Sequence, residues 1–272
     1  MARVITAIVV LPILIASIWF STLSPLFVAL AVAAMILGLY EFWALAKRRG
    51  MKPDVTIGMI AAVALLVAFY FNAPDLILIV IAAFTIATLA AAVQRGAPFD
   101  QMMASAGATV LGLLYVVALG GHLVAVRMLR PFADCGNCAA KLLSFFFLVL
   151  MGADTAAYYT GRAFGRHKLA PAVSPGKTWE GAAGGMAASL GAAALAHFWF
   201  FPELRLTAAL PLSAVMNVLG VMGDLTESAI KRGAGAKDAA RLLPGHGGLL
   251  DRLDSLLFNA PLIYYFALLY FR

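Results

Sequence analysis

The chain has 272 residues, of which 63% are hydrophobic and 12% charged, against about 25% charged in a typical soluble domain. With a mean hydropathy of +0.94, this composition leaves little room for a separate soluble domain and points to a polytopic membrane protein. The formal net charge is +7, and the question is which membrane face carries it.

A spanning helix needs about 20 mostly apolar residues to cross a hydrocarbon core of roughly 30 Å. Nine stretches qualify, at 4–20, 25–46, 56–73, 75–94, 104–126, 142–160, 181–201, 206–223 and 249–271. They lack the period-2 alternation of barrel strands, so an all-α bundle of about nine transmembrane helices is expected. The first stretch has no small-x-small cleavage site and a second span follows at once, so it is read as a span. Residues 1–150 then form an N-terminal anchor whose few charges lie in short turns. Glu41 and Gln94 are expected at the membrane interface, and Pro53 and Pro74 mark connectors. Cys135 and Cys138 form a lone CGNC, without the four-ligand spacing of a zinc site. A surface disulfide or two idle thiols is the expectation there.

Lys and Arg set orientation. With the N-terminus in the cytoplasm, fifteen of the 20 Lys and Arg residues fall on the cytoplasmic side and five on the other. The basic excess serves topology and anionic headgroups, and it equally suits a phosphate-bearing substrate.

From residue 151 to 272 the chemistry changes. Asp154 sits in MGADTAAYYTG, Asp224 and Glu227 in GDLTESAIKR, and Asp251 and Asp254 in LLDRLDS, all at the cytoplasmic ends of expected spans. Ionisable groups at membrane depth usually face partners, water or a site. On a helix, Asp224, Glu227, Ser228 and Lys231 share one face. Asp251, Asp254 and Ser255 repeat the acid-x-x-acid-Ser spacing. Two such faces can hold a hard cation such as Mg²⁺, which takes oxygen ligands from carboxylates and substrate phosphates. The competing reading is that the acids pair with Lys231, Arg232, Lys237 and Arg252.

Between the two acidic faces lies KRGAGAKDAARLLPGHGG, residues 231–248. Its glycines can present N–H groups to an anion, and Gly247 and Gly248 immediately precede a helix N-terminus, a natural seat for phosphate. His246 can bind phosphate, move a proton or simply brace the loop. Upstream, SPGKTWEG at 174–181 contains GKT, but Pro171 stands where a Walker motif needs glycine and no preceding strand is expected, so it is not a P-loop. Ser174, Lys177 and Thr178 can still contact phosphate, and Glu180 is expected to cap the following helix. GAAGGMAASLGAAALA, 181–196, is a small-residue face for close helix approach, and it leaves a homodimer open.

At this point the residues resemble a known family. SAIKRGAGAKDAARLLPGHGGLLDRLD, 228–254, closely resembles the signature of phosphatidate cytidylyltransferases, the CDP-diacylglycerol synthases. SPGKTWEG and DTAAYYTGRAFGRHKLAP look like the same family's C-terminal half, whereas the first 150 residues agree only in being hydrophobic. The resemblance implies that phosphatidate and CTP give CDP-diacylglycerol and pyrophosphate with Mg²⁺, a second cation being open. It implies a multi-pass protein of the bacterial inner membrane with its site on the cytoplasmic face and no nucleic-acid partner. On that reading Asp224, Lys231, Lys237, Asp251 and Asp254 are the catalytic set. Asp224 and Asp251 hold the metal, helped by Glu227 and Asp254. Ser174, Lys177, Thr178, Ser228, Arg232, His246, Gly247, Gly248 and Arg252 bind substrate.

Two rivals make different predictions. A CTP-dependent polyprenol kinase would transfer the γ-phosphoryl group and release CDP. A cation-coupled transporter would place its carboxylates near the bilayer midplane on broken helices, whereas here they cluster at one face.

Overall fold

The computed structural model describes residues 2–96, 99–133, 135–236 and 248–271, with side chains from residue 11 onward. Each of the nine apolar stretches holds a helix. In chain order these are α1 (Ala2–Trp19), α2 (Ser24–Arg48), α3 (Val55–Tyr70), α4 (Pro74–Gln94), α5 (Met102–Gly112) continued by α6 (Leu119–Arg127), α7 (Cys138–Phe164), α8 (Trp179–Trp199), α9 (Leu206–Gly233) and α10 (Leu250–Tyr270). Six helical rods among the described residues are long and apolar enough to cross a membrane. α3 is apolar but has only 16 residues. The fold is thus an all-α membrane bundle.

The expected fifth span is one rod interrupted by a π-helical turn over Leu113–Ala118. Among the described residues the sheet structure outside the helices is a small antiparallel hairpin, β1 (Lys168–Ala170) with β2 (Ser174–Thr178), and an isolated bridge between Phe132 and Cys135. Strands of 3 and 5 residues carry too short an alternation to be read from sequence. SPGKT is therefore itself a strand leading into α8.

Large apolar side chains face both ways, as lipid solvent requires. Leu78, Ile86 and Phe198 are exposed on the outside. Inside, Trp43, Phe69, Phe145, Phe146 and Phe201 are fully buried. Close approach depends on missing side chains: a methyl at Gly120 would lie 2.0 Å from the Met35 sulfur, so Met35 of α2 fills the space that glycine leaves on α6. α7 and α8 meet along small residues, where a methyl on Gly181 would sit 2.9 Å from the Ala157 carbonyl oxygen. The small-residue face of α8 is filled by α7 of the same chain.

Polar contacts gather at two levels. At one, Lys141 pairs with Glu203 at 2.5 Å and Tyr270 Oη accepts from Arg205 N at 3.0 Å. At the other, Arg95 pairs with Asp54, Lys52 N donates to Ser105 Oγ at 2.9 Å, and Arg49 Nε donates to the Gly233 carbonyl. Turns that share an expected membrane side touch one another.

The structure refines two sequence expectations. Glu41 is fully buried within the protein, and its carboxylate takes two backbone N–H groups at the start of α10. Cys135 and Cys138 are disulfide-bonded but not at the surface, being 0% and 3% exposed. They lie at the start of α7, packed into the core.

Candidate functional site

α9 and α10 run antiparallel, and their contact decides the site. Gly223 makes it possible, because a methyl there would lie 2.3 Å from the Asp254 carbonyl oxygen. With the helices this close, the first acid of one faces the second acid of the other. Asp224 therefore lies near Asp254, and Glu227 near Asp251.

The two pairs have different partners. Lys231 Nζ reaches Glu227 Oε2 at 2.6 Å and Asp251 Oδ1 at 2.5 Å. Glu227 is 1% exposed, and its second oxygen has no hydrogen-bond partner among the described residues. Asp251 Oδ2 accepts from Gly248 N at 2.8 Å, which helps close the first turn of α10. Asp224 instead meets Lys177 from β2 at 2.5 Å and accepts from Ser228 Oγ at 3.3 Å. Asp254 Oδ1 accepts from Ser255 N at 2.6 Å, and Ser255 Oγ lies 3.5 Å from Asp154 Oδ2 on α7.

Asp154, Lys177, Asp224, Asp251, Asp254 and Ser255 line a cavity of about 970 Å³. One end is polar, with Asp154, Lys177, Asp224, Asp251, Arg252 and Asp254. The other is apolar, with Leu14, Phe27, Leu30, Met35, Leu123 and Phe147. An amphipathic cavity of this size accommodates a ligand with a charged head and a greasy body.

The remaining expected residues divide. Ser174 and Thr178 line the cavity, but the Thr178 hydroxyl is occupied as the N-cap of α8, accepting from Gly181 N at 3.1 Å. Glu180 does not cap α8. Its carboxylate turns back to the hairpin and accepts from Arg166 N, His167 N and the His167 ring. Arg232 Nη1 lies 3.4 Å from the Ala236 carbonyl. Neither Glu227, Ser228 nor Arg232 lines the cavity. Lys237, His246 and Gly247 lie outside the described residues. Asp154 joins the acidic end from a third helix. Asn217 and Arg162 also line the cavity, and nothing in the local sequence marks them.

Among the described residues no three acidic, histidine or cysteine side chains form a preformed metal cage. Mg²⁺ does not need one, since it is usually held by one or two carboxylates with water and substrate phosphate completing the shell. Asp224 and Asp254, oxygen donors on facing helices that line the cavity, fit that requirement.

The whole-chain comparison decides the family. The model of the cytidylyltransferase family matches residues 1–270. The chain belongs to the cytidylyltransferase family. It is 36% identical over 270 residues to the phosphatidate cytidylyltransferase of Pseudomonas aeruginosa, covering 95% of this chain and 93% of that protein. Against the phosphatidate cytidylyltransferases of Haemophilus influenzae and Brucella suis the identity is 46% over 129 residues and 44% over 133. Those two alignments span about half the length of each relative, 45% and 46%.

Proposed function

We propose that this chain transfers the cytidylyl group of CTP to phosphatidate, giving CDP-diacylglycerol and pyrophosphate in phospholipid biosynthesis. The observation that carries the reading is the cavity itself. Its apolar end suits acyl chains, and its carboxylates and cations lie where a headgroup phosphate would sit. The family match and the relatives' names support the same chemistry.

A phosphatidate phosphate oxygen attacks the α-phosphorus of CTP, the bond from that phosphorus to the β-phosphate oxygen breaks, and pyrophosphate leaves. The attacking group is already ionised near neutral pH, so positioning and charge neutralisation do most of the work. Lys177 and Arg252 line the cavity and neutralise phosphate. Lys177 also orients Asp224. Asp224 and Asp254 would hold Mg²⁺, with Asp251 beside them, while Glu227 acts through Lys231. When bound, Mg²⁺ supplies charge to the triphosphate and orients it. Lys237, His246 and Gly247 complete the phosphate contacts on this reading, whereas the Gly248 N–H is taken by Asp251.

We read the membrane topology as nine spans with the site on the cytoplasmic face of a bacterial inner membrane. Residues 1–150 serve as scaffold and 151–272 carry the reacting groups. The contact of turns that share an expected side supports this arrangement.

Product analysis tests the reading. Purified protein is given phosphatidate and CTP labelled at the α-phosphate, with and without Mg²⁺. Label in a lipid-soluble product, with pyrophosphate released only when Mg²⁺ is present, is the expected outcome. Label remaining in CDP while the lipid gains an unlabelled phosphate would mean a kinase.

A further inference from the structure

α2 lies in the region that looks like plain anchor, yet it sends two charged side chains to the ends of the acidic helices. Glu41 accepts from Leu249 N at 3.0 Å and from Leu250 N at 2.7 Å, one backbone N–H on each carboxylate oxygen. Arg49, which closes α2, donates through Nε to the carbonyl of Gly233, the last residue of α9. The first N–H groups and last carbonyls of a helix have no partner within it. A carboxylate suits the first and a guanidinium the second, each with the sign that the helix dipole favours. One helix thus supplies both.

The first turn of α10 is held from two sides. Asp251 takes the N–H of Gly248, and Glu41 takes those of Leu249 and Leu250. Three consecutive backbone donors are fixed by carboxylates from two different helices. A rotation or slide of α10 would break this set together. Neither Glu41 nor Arg49 lines the cavity, so neither is placed to touch substrate. They stand eight residues apart on α2, which at a rise of ~1.5 Å per residue is roughly 12 Å.

We propose that Glu41 and Arg49 are positioning residues, α2 acting as a gauge that sets the register of α10 against α9 and so the facing of Asp254 and Asp224. The consequence for activity rests on the cytidylyl-transfer reading of the cavity. The gauge itself rests only on the contacts just described.

The test uses the full-length protein in detergent as wild type, Glu41→Gln, Glu41→Asp and Arg49→Gln. Two quantities are read, amide exchange at 249–250 and the kcat and KM for CTP and phosphatidate. Glu41→Gln replaces one acceptor with a donor facing an N–H. Exchange at 249–250 is expected to quicken by about tenfold or more. Misplacement of a reacting group by about 1 Å lowers turnover on the order of 100-fold, so kcat falls while both KM values hold within about threefold. Glu41→Asp keeps the charge and recovers part of kcat. Arg49→Gln lowers kcat by about tenfold with KM unchanged.

Faster exchange with wild-type kcat would make Glu41 merely structural and overturn the proposal, as would unchanged exchange in Glu41→Gln. A rise in KM in Arg49→Gln without a fall in kcat would mark a direct phosphate contact and overturn the gauge. If Glu41→Gln does not fold, Glu41→Asp and Arg49→Gln decide the matter by the same criteria. If the wild type makes no CDP-diacylglycerol while Glu41→Gln still frees the amides, the cytidylyl-transfer reading has failed, and Glu41 is left with a structural hold on α10 rather than a positioning role.

Discussion

Asp224 and Asp254 line the cavity beside Lys177, whereas Glu227 and Asp251, one helical turn nearer the helix ends, share the ammonium of Lys231, and of these two only Asp251 lines the cavity. The two pairs come from the same spacing, acid-x-x-acid-Ser at 224–228 and again at 251–255. Antiparallel packing crosses them, first acid with second, and places Lys231 against only one pair. The lesson is that packing assigns each pair its own lysine, Lys231 to Glu227 and Asp251 and Lys177 to Asp224, so that equal spacing in the sequence ends in unequal surroundings.

Substitutions at the two pairs should therefore fail in different ways. The largest effect on turnover is expected from Asp224→Asn or Asp254→Asn. Each should lose on the order of 10²–10³ in rate, the scale for removing one preorganised electrostatic contact, with folding intact. Initial rates of CDP-diacylglycerol formation across a Mg²⁺ titration check this, and wild-type rates in either variant would break the distinction. Lys231→Met should act first on stability. It leaves the buried Glu227 charge uncompensated, at a cost of about 3–5 kcal/mol, read as a lower unfolding midpoint in detergent. Adding Glu227→Gln should restore part of that loss. If the double variant is no better than the single, the Glu227–Lys231 contact is not what holds the pair.

The smallest effect sharpens the comparison by geometry alone. Gly223→Ala would force a methyl to within 2.3 Å of the Asp254 carbonyl, whereas at Gly220, one turn away, the nearest atoms stand at 3.6 Å. The first should cost about 1–3 kcal/mol through overpacking and reduce turnover by moving α9 off α10. The second should be neutral or stabilise by about 0.4–1 kcal/mol, as alanine does where the backbone allows it. Equal effects at the two glycines would mean that the α9–α10 approach does not set the site.

Much of this was legible in the sequence. The apolar stretches located the α-helices among the described residues because length and hydropathy are averaged over about 20 residues. The acids at 224, 227, 251 and 254 stood out because charge is rare at membrane depth. The i,i+4 relation of Glu227 and Lys231 was also visible. What the sequence did not show was the third member, Asp251, because a pairing across two helices depends on their packing. Glu41 was hidden more thoroughly. Its partners are backbone N–H groups 208 and 209 residues away, and a backbone donor leaves no residue pattern to read. The hairpin before α8 escaped for the opposite reason, being too short for any period to register.

The same Glu41 contact sets an order on synthesis. Chains elongate at about 5–20 residues per second, so roughly 10–40 s separate the insertion of α2 from the arrival of its partners. Throughout that interval the growing chain carries an acidic group in a membrane helix before the N–H groups that will receive it exist. A product truncated before residue 248 would keep that buried acidic group permanently without the two backbone donors that receive it.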